Sequence, residues 1–188
     1  MSSDAVANAV LHHEPTVRLA IFLGVLVVMA AWETIAARRT RVLPRARRWP
    51  GNFGIAVLDA LLTRLVAPAG AVGFAHLAEA RGWGLRHFTD WPVWLEGIAA
   101  VVVLDFAIYA QHRVFHAVPF LWRLHRMHHA DVDVDVTTGA RFHPAEILLS
   151  LGVKFLVIAA LGASPGSVLV FEVLLNATAM FMVGMDSR

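Results

Sequence analysis

His112-Arg-Val-Phe-His116-Ala-Val-Pro-Phe-Leu-Trp-Arg-Leu-His125-Arg-Met-His128-His129 is the stretch whose reading decides the fold. Half of the chain's ten histidines fall within it, spaced H-x-x-x-H and then H-x-x-H-H. On a helix, residues three and four apart share a face, so each cluster can aim its imidazoles at one point. Neutral imidazole is the commonest metal ligand and suits iron, zinc, copper and nickel. A surface helix with incidental histidines accounts for one such pair more readily than for two adjoining ones. We therefore read the stretch as a metal site.

The composition around it is that of a membrane protein. Hydrophobic residues make up 58% of the 188 and charged residues only 16%, with a mean hydropathy of +0.63. These values lie well outside the usual soluble range. The formal charge is +2 and the pI near 9.9. A net charge this small gives no reason to expect a nucleic-acid partner, and membranes explain the clustering of the arginines better. With no cysteine, thiolate metal sites, disulfides and cysteine nucleophiles are excluded.

Working outward from the histidines, an apolar segment from about Pro92 to Gln111 reads as a span that continues directly into His112 and His116. Asp105, Tyr109, His112 and His116 form one stripe along it. A carboxylate at Asp105 is costly among apolar residues without a partner, so it is expected to orient a ligand histidine. Two further apolar stretches precede this span, about Val17–Ala36 and Phe53–Ala78. Between them lie Arg38, Arg39, Arg41, Arg45, Arg47 and Arg48, with Pro44 and Pro50 expected to break the helix. Six arginines in a short loop mark the cytoplasmic side, and anionic lipid binding is compatible with that role. Since no basic region precedes the first span, it reads as a retained anchor. Glu33 is expected to reach the interface, and Asp59 to pair with Arg64 or Arg64 to snorkel. Trp83, Trp91 and Trp94 read as interfacial aromatics.

Beyond the histidines, Pro119 is placed to start a short helix that carries H-x-x-H-H. Asp131, Asp133 and Asp135 alternate like a calcium loop, but the glycine and glutamate that motif needs are replaced by Val136 and Phe142. A connecting segment turning at Thr137 and Thr138 is expected instead. Pro144 and Glu146 suit a helix N-terminus. Ile147–Leu161 and Val168–Met182 then form an apolar hairpin, each arm short for a full span. The fold expected is all-α: an integral-membrane bundle of about three spans plus a C-terminal helical hairpin, in one domain over 1–188.

The pieces Asp105, Tyr109, His112-x-x-x-His116, Leu121-Trp-Arg-x-His125-x-x-His128-His129, Asp135-Val-Thr-Thr138 and Arg141-Phe-His143-Pro-x-Glu146 together resemble the sterol desaturase and fatty acid hydroxylase superfamily. That resemblance implies a membrane oxidoreductase with two metal ions, normally iron, in a histidine cage on the cytoplasmic face. Such enzymes hydroxylate or desaturate a lipid, using dioxygen and an external electron donor. It also implies that His112, His116, His125, His128 and His129 are metal ligands. His143, Asp105, Tyr109 and Glu146 are implied either to bind metal or to orient the ligands. The family pattern continues with an Asn-His element and a further H-x-x-H-H cluster, where this chain reads Ala177-Thr-Ala-Met-Phe181 and then Met182–Arg188. The resemblance thus implies a chain shortened relative to the family, inactive or holding a single metal or zinc. A histidine-lined transporter would place its site near the bilayer midplane, which these histidines, lying past the end of a span, do not.

The absence of native cysteines makes the topology testable with single-cysteine reporters. Arg41→Cys and Arg126→Cys are expected to react with an impermeant maleimide from the same, cytoplasmic, side. Labelling from opposite sides would overturn the arrangement.

Overall fold

A computed structural model describes residues 9–35 and 42–186, with side chains to Met182. Arg38, Arg39 and Arg41, and the last two residues of the chain, lie outside the described residues. The helices are α1 (Glu14–Ile35), α2 (Arg45–Val66), α3 (Gly70–Ala80), α4 (Val93–Ala117), α5 (Pro119–His125), α6 (Pro144–Leu161) and α7 (Pro165–Asp186). Short 3₁₀ turns cover Leu85–Phe88 and Val136–Ala140. Among the described residues, five segments are long and apolar enough to cross a membrane, with α2 and α3 counted together. At 1.5 Å per residue α4 is about 37 Å long, enough to cross and to carry its last turns beyond the hydrocarbon. The C-terminal hairpin was expected to have arms too short for full spans. Instead α7 starts at Pro165 and runs for 22 residues, because proline is accommodated in the first helical turn.

The α6–α7 hairpin is the hub. α4 packs against both arms, as does α3, while α1 lies on α7 and α2 on α6. The core between them alternates small and large residues: Ala71, Ala75 and Ala78 of α3 and Ala100 of α4 face Ile158, Val168 and Phe171. Small residues let helices approach closely where lipid tails offer no hydrophobic drive to associate. Phe74 stacks on Phe155 with ring centroids 4.2 Å apart. The end of the bundle away from the histidines closes at Gly162, which takes φ +69 to terminate α6. There Gly84 sits so close that an added Cβ would lie 1.9 Å from the Gly162 nitrogen. Outward-facing apolar residues such as Val28, Leu61, Val102, Phe106 and Leu156 are exposed, forming the surface that a bilayer covers.

Charges that sequence patterning assigned to the interface are instead paired inside. Glu33 is buried, receiving Arg45 Nη2 at 2.7 Å and the Val136 N–H at 2.7 Å. Arg48 is buried between Asp131 and Asp135, 3.0 Å from the former. The Trp49 indole donates to Asp135 at 3.0 Å, and Asn52 donates to Asp131 and Thr137 at 3.1 and 2.9 Å. The backbone N–H groups of Val42 and Leu43 donate to Asp133. Arg45 and Arg48 therefore serve more than topology: Arg45 ties the start of α2 to α1, and Arg48 ties it to the segment that follows the histidines. This also sets the described end of the arginine loop and the histidine clusters at the same end of the bundle.

Two smaller expectations are corrected. Pro50 does not break the helix, because it lies one turn inside α2, where a missing N–H costs only one early ladder bond. Asp59 is buried without a hydrogen-bond partner, while Arg64 turns outward to the Pro68 carbonyl at 2.8 Å, so the two do not pair. At the far end Lys154 and Arg18 both pair with Glu172, the latter at 2.5 Å, and Arg18 also pairs with Glu14. That network joins α1 and α6 to α7.

Removing one member of a buried ion pair strands the other, at a cost of about 3–5 kcal/mol. Arg48→Ala is expected to lower the unfolding free energy in detergent by about that amount. Burial opposes ionisation of Asp135, but hydrogen bonds from Thr137 and Trp49 and the charge of Arg48 outweigh it, so its carboxyl is held below the ordinary value of 3.8. The stability it contributes is fully present above that ordinary value and is lost as pH falls through the lower folded one. Unfolding by denaturant at successive pH values checks both expectations. An Arg48→Ala midpoint equal to wild type would show that the clasp carries no weight.

Candidate metal centre

The cluster is assembled by three short stretches of backbone. α4 runs on past its apolar portion and presents His112 and His116 one turn apart, their Nε2 atoms separated by 3.2 Å. Val118 then breaks from helix in extended conformation, and Pro119 opens α5, which ends at His125. The whole H-x-x-H-H run was expected on this helix. Instead Arg126–His129 follow as overlapping turns, with His128 N–H bonded to the His125 carbonyl and His129 N–H to that of Arg126. Because i→i+3 turns wind much like a helix, His129 still returns over His125, with Nε2 atoms 3.1 Å apart. The ligand nitrogens of His112, His116, His125 and His129 all lie within 4.8 Å of one another.

His125 is wholly buried and anchors the group. Its Nδ1 lies 2.7 Å from Glu146 Oε1 in the first turn of α6. A carboxylate only accepts, so this contact places the proton on Nδ1 and leaves the Nε2 lone pair facing His129. A carboxylate behind an imidazole fixes tautomer and ring orientation in metal sites. Asp105, expected in that role, lies exposed on α4, and its side chain makes no hydrogen bond among the described residues. Tyr109 is also exposed, its ring near Phe106. The Asp105–Tyr109 stripe thus points outward from the bundle rather than toward α6.

His128 stands beside the group, not in it. Its ring stacks on Phe142 with centroids 4.5 Å apart, and its buried Nδ1 has no partner. Burial, together with the neighbouring His129 and His125, pushes its pKa down to about 4. Burial and the same kind of neighbours lower that of His129. Both rings are therefore neutral at physiological pH, the form that binds metal. His143 caps α6, its Nδ1 accepting the Ala145 N–H at 3.1 Å, and lies across an open cleft from His129. Sequence reading missed Phe142 and Trp122 as packing partners of the cluster. Trp122 approaches His116 and His129 at 5.2 and 5.7 Å. Their signal was in view, since both sit within or beside the histidine motifs.

The donor set fits a metal ion. Bonds of ~2.1 Å at tetrahedral or octahedral angles put neighbouring donors roughly 3.0–3.4 Å apart, close to the two Nε2 separations. Four imidazoles with no thiolate select among the borderline first-row ions, and the orphaned His128 nitrogen is a fifth donor nearby.

Fold and site together define a multi-pass membrane protein with a histidine cluster that could hold a metal ion at one end of its helical bundle. Residues 97–185 match the fatty acid hydroxylase family. Over 155 residues the chain is 26% identical to the ornithine lipid hydroxylase OlsE of Rhizobium tropici, covering 76% of this chain and 45% of that protein. Over 41 residues it is 46% identical to the fatty acid hydroxylase vlmA of a Lecanicillium species, covering 21% of this chain and 11% of that protein. These matches support the resemblance of this region to the fatty acid hydroxylase and sterol desaturase superfamily. The chain spans less than half the length of these relatives. No solved structure matches it.

Glu146→Gln keeps the shape of the buried side chain and removes its charge. It is expected to weaken Co²⁺ binding by about 10–100-fold, the usual effect of altering a group behind a ligand, while Asp105→Asn changes it by less than about twofold. Titration of the cobalt absorption bands checks both, and the reverse order of effects would restore Asp105 to the site.

Proposed function

We propose that this chain is an integral-membrane, iron-dependent oxidoreductase that hydroxylates a lipid with dioxygen, drawing electrons from an external donor. The observation that carries the reading is the convergence of His112, His116, His125 and His129, backed by Glu146, inside the region that matches the fatty acid hydroxylase family. Hydroxylation is preferred to desaturation because both relatives are named as hydroxylases. We assign the cluster to the cytoplasmic face on the strength of the arginine loop at the same end.

In this reading the four clustered histidines would hold the ion, and His128 would be a further ligand. Iron bound there would supply dioxygen activation and attack on a substrate C–H bond. The protein's residues do the rest. Glu146 keeps His125 in the tautomer that presents Nε2, and its charge offsets part of the ion's. Phe142, Phe115 and Trp122 pack round the rings and hold water back from one side. The exposed side of His112, His116 and His129 faces outward, where a lipid arrives from the bilayer.

The test is turnover with isotopic oxygen. The protein, loaded with Fe²⁺ in vesicles and given a chemical reductant under ¹⁸O₂, is expected to yield a lipid carrying one ¹⁸O atom. Loss of a whole ligand should exceed the effect of a lost supporting group, so His125→Ala is expected to reduce the product by more than ~100-fold. Product formation unchanged in His125→Ala, or oxygen drawn from water, would overturn the proposal.

A further inference from the structure

An open cleft of ≈ 580 Å³ adjoins the cluster, lined by Trp122, Arg123, Arg126, Met127, His129 and His143. Its size is that of a small-molecule site, and through His129 its occupant lies against the metal-binding nitrogens. Two guanidiniums border it. Among the described residues, neither the Arg123 nor the Arg126 side chain makes a hydrogen bond or ion pair, and both residues are exposed. The nearby carboxylates are engaged elsewhere: Asp131 and Asp135 with Arg48, and Glu146 with His125. The cleft therefore carries uncompensated positive charge. His143 adds a donor, because its Nδ1 accepts from the Ala145 N–H, which leaves Nε2 to carry the ring proton.

The same short helix that supplies Arg123 exposes Phe120 by 69% and Trp122 by 36%. Aromatic rings beside arginines are the composition of the headgroup layer, where the rings meet acyl chain and the guanidiniums meet phosphate. Arginine binds phosphate and carboxylate in a two-pronged geometry that lysine lacks.

From this placement we propose that the cleft is a headgroup site: Arg123 and Arg126, with His143, bind the anionic head of a lipid and seat it beside His129. Resting on the lipid-hydroxylase reading, this makes the substrate a lipid with an anionic headgroup and directs oxidation to carbons near that head rather than to the chain end. The binding itself stands apart from catalysis and is tested without it.

The full chain in an uncharged detergent is titrated with dihexanoyl phosphatidic acid, dihexanoyl phosphatidylcholine and inorganic phosphate. Heat of binding is followed, as is the fluorescence that disappears in Trp122→Phe. Phosphatidic acid is expected to bind at least ~10-fold more tightly than either of the others, one charge-assisted contact being worth about that factor. The Arg123→Gln/Arg126→Gln double variant is expected to lose that preference while retaining its Co²⁺ spectrum. Equal affinity for phosphatidylcholine, or a double variant that binds normally, overturns the proposal. Inorganic phosphate binding as tightly as phosphatidic acid assigns the cleft to a free anion and also overturns it. Failure of phosphatidic acid to bind at all hands the arginines to another partner, such as an acidic protein, with the same consequence. If the double variant loses its cobalt spectrum, the selectivity of the unaltered chain decides alone. Selective binding without ¹⁸O incorporation would uphold the site and sink the hydroxylase reading, so the two failures are distinguishable.

Discussion

Arg48 is a charged guanidinium held almost out of water between two carboxylates, and the histidine end of the bundle is built round that pairing. An ion removed from water must be matched in place. Arg48 at the start of α2 therefore dictates where Asp131 and Asp135 sit, and they define the path between the second histidine cluster and α6. Asp135 then caps the 3₁₀ turn by accepting from Thr137, while Thr138 Oγ1 accepts the Asp135 N–H and donates to Asp131 at 2.9 Å. With that turn fixed, α6 begins at Pro144 and brings Glu146 to His125. A buried ion pair contributes little net stability compared with an apolar contact of the same volume, and conformational specificity is its better-attested use. Here the specificity is the register of the Glu146 carboxylate against His125 of the cluster.

The two ends of the bundle are organised on different terms. Away from the histidines, close packing dominates: the alanine face of α3, the Gly84–Gly162 approach, and Glu172 joined to both Lys154 and Arg18. Charges there are balanced within the bundle and leave little to react. At the histidine end several groups are left unsatisfied, including His128 Nδ1, Glu146 Oε2 and both oxygens of Asp59. Buried polar groups normally find partners, and a concentration of exceptions beside a cluster of metal-binding nitrogens is what a functional site looks like. The α6–α7 hairpin connects the two regimes. Its far half is held rigidly by its neighbours, and its near half carries Glu146, so the site is mounted on an element that packing has already immobilised.

Much of this was legible in the sequence. Hydropathy located most of the apolar helices to within a few residues, although the stretch expected from Phe53 begins at Arg45 and divides after Val66; the i, i+3, i+4 spacing gathered four of the five histidines, and Pro119 and Pro144 marked helix starts. What failed was facing. The stripe Asp105–Tyr109–His112–His116 is a true helical stripe, yet periodicity says only that residues share a face, not which partner that face meets. In a membrane bundle apolar residues line both the core and the lipid side, so the usual contrast between inside and outside is missing. Glu146 had the stronger physical claim, since it opens a helix directly after the last histidine motif, but only the packing of α6 against α5 decides it. Arg45 and Arg48 were read as topology signals for a related reason. A charge count over a loop cannot reveal that two of its members have carboxylate partners about 12 to 90 residues away along the chain.

The protonation of the cluster follows from the same burial that shapes it. Burial, helped by the neighbouring imidazoles, drives His128 and His129 toward the neutral form. Neutral rings at His128 and His129 avoid stacking positive charge in a poorly solvated place. One carboxylate, Glu146, is retained, and it is aimed at the most buried ring. When a cation arrives it need not displace protons from His128 or His129, and it meets a negative charge already in position behind His125. The sequence spacing that brings the rings together thus also prepares their charge state, so that assembling the site and readying it for metal are one event.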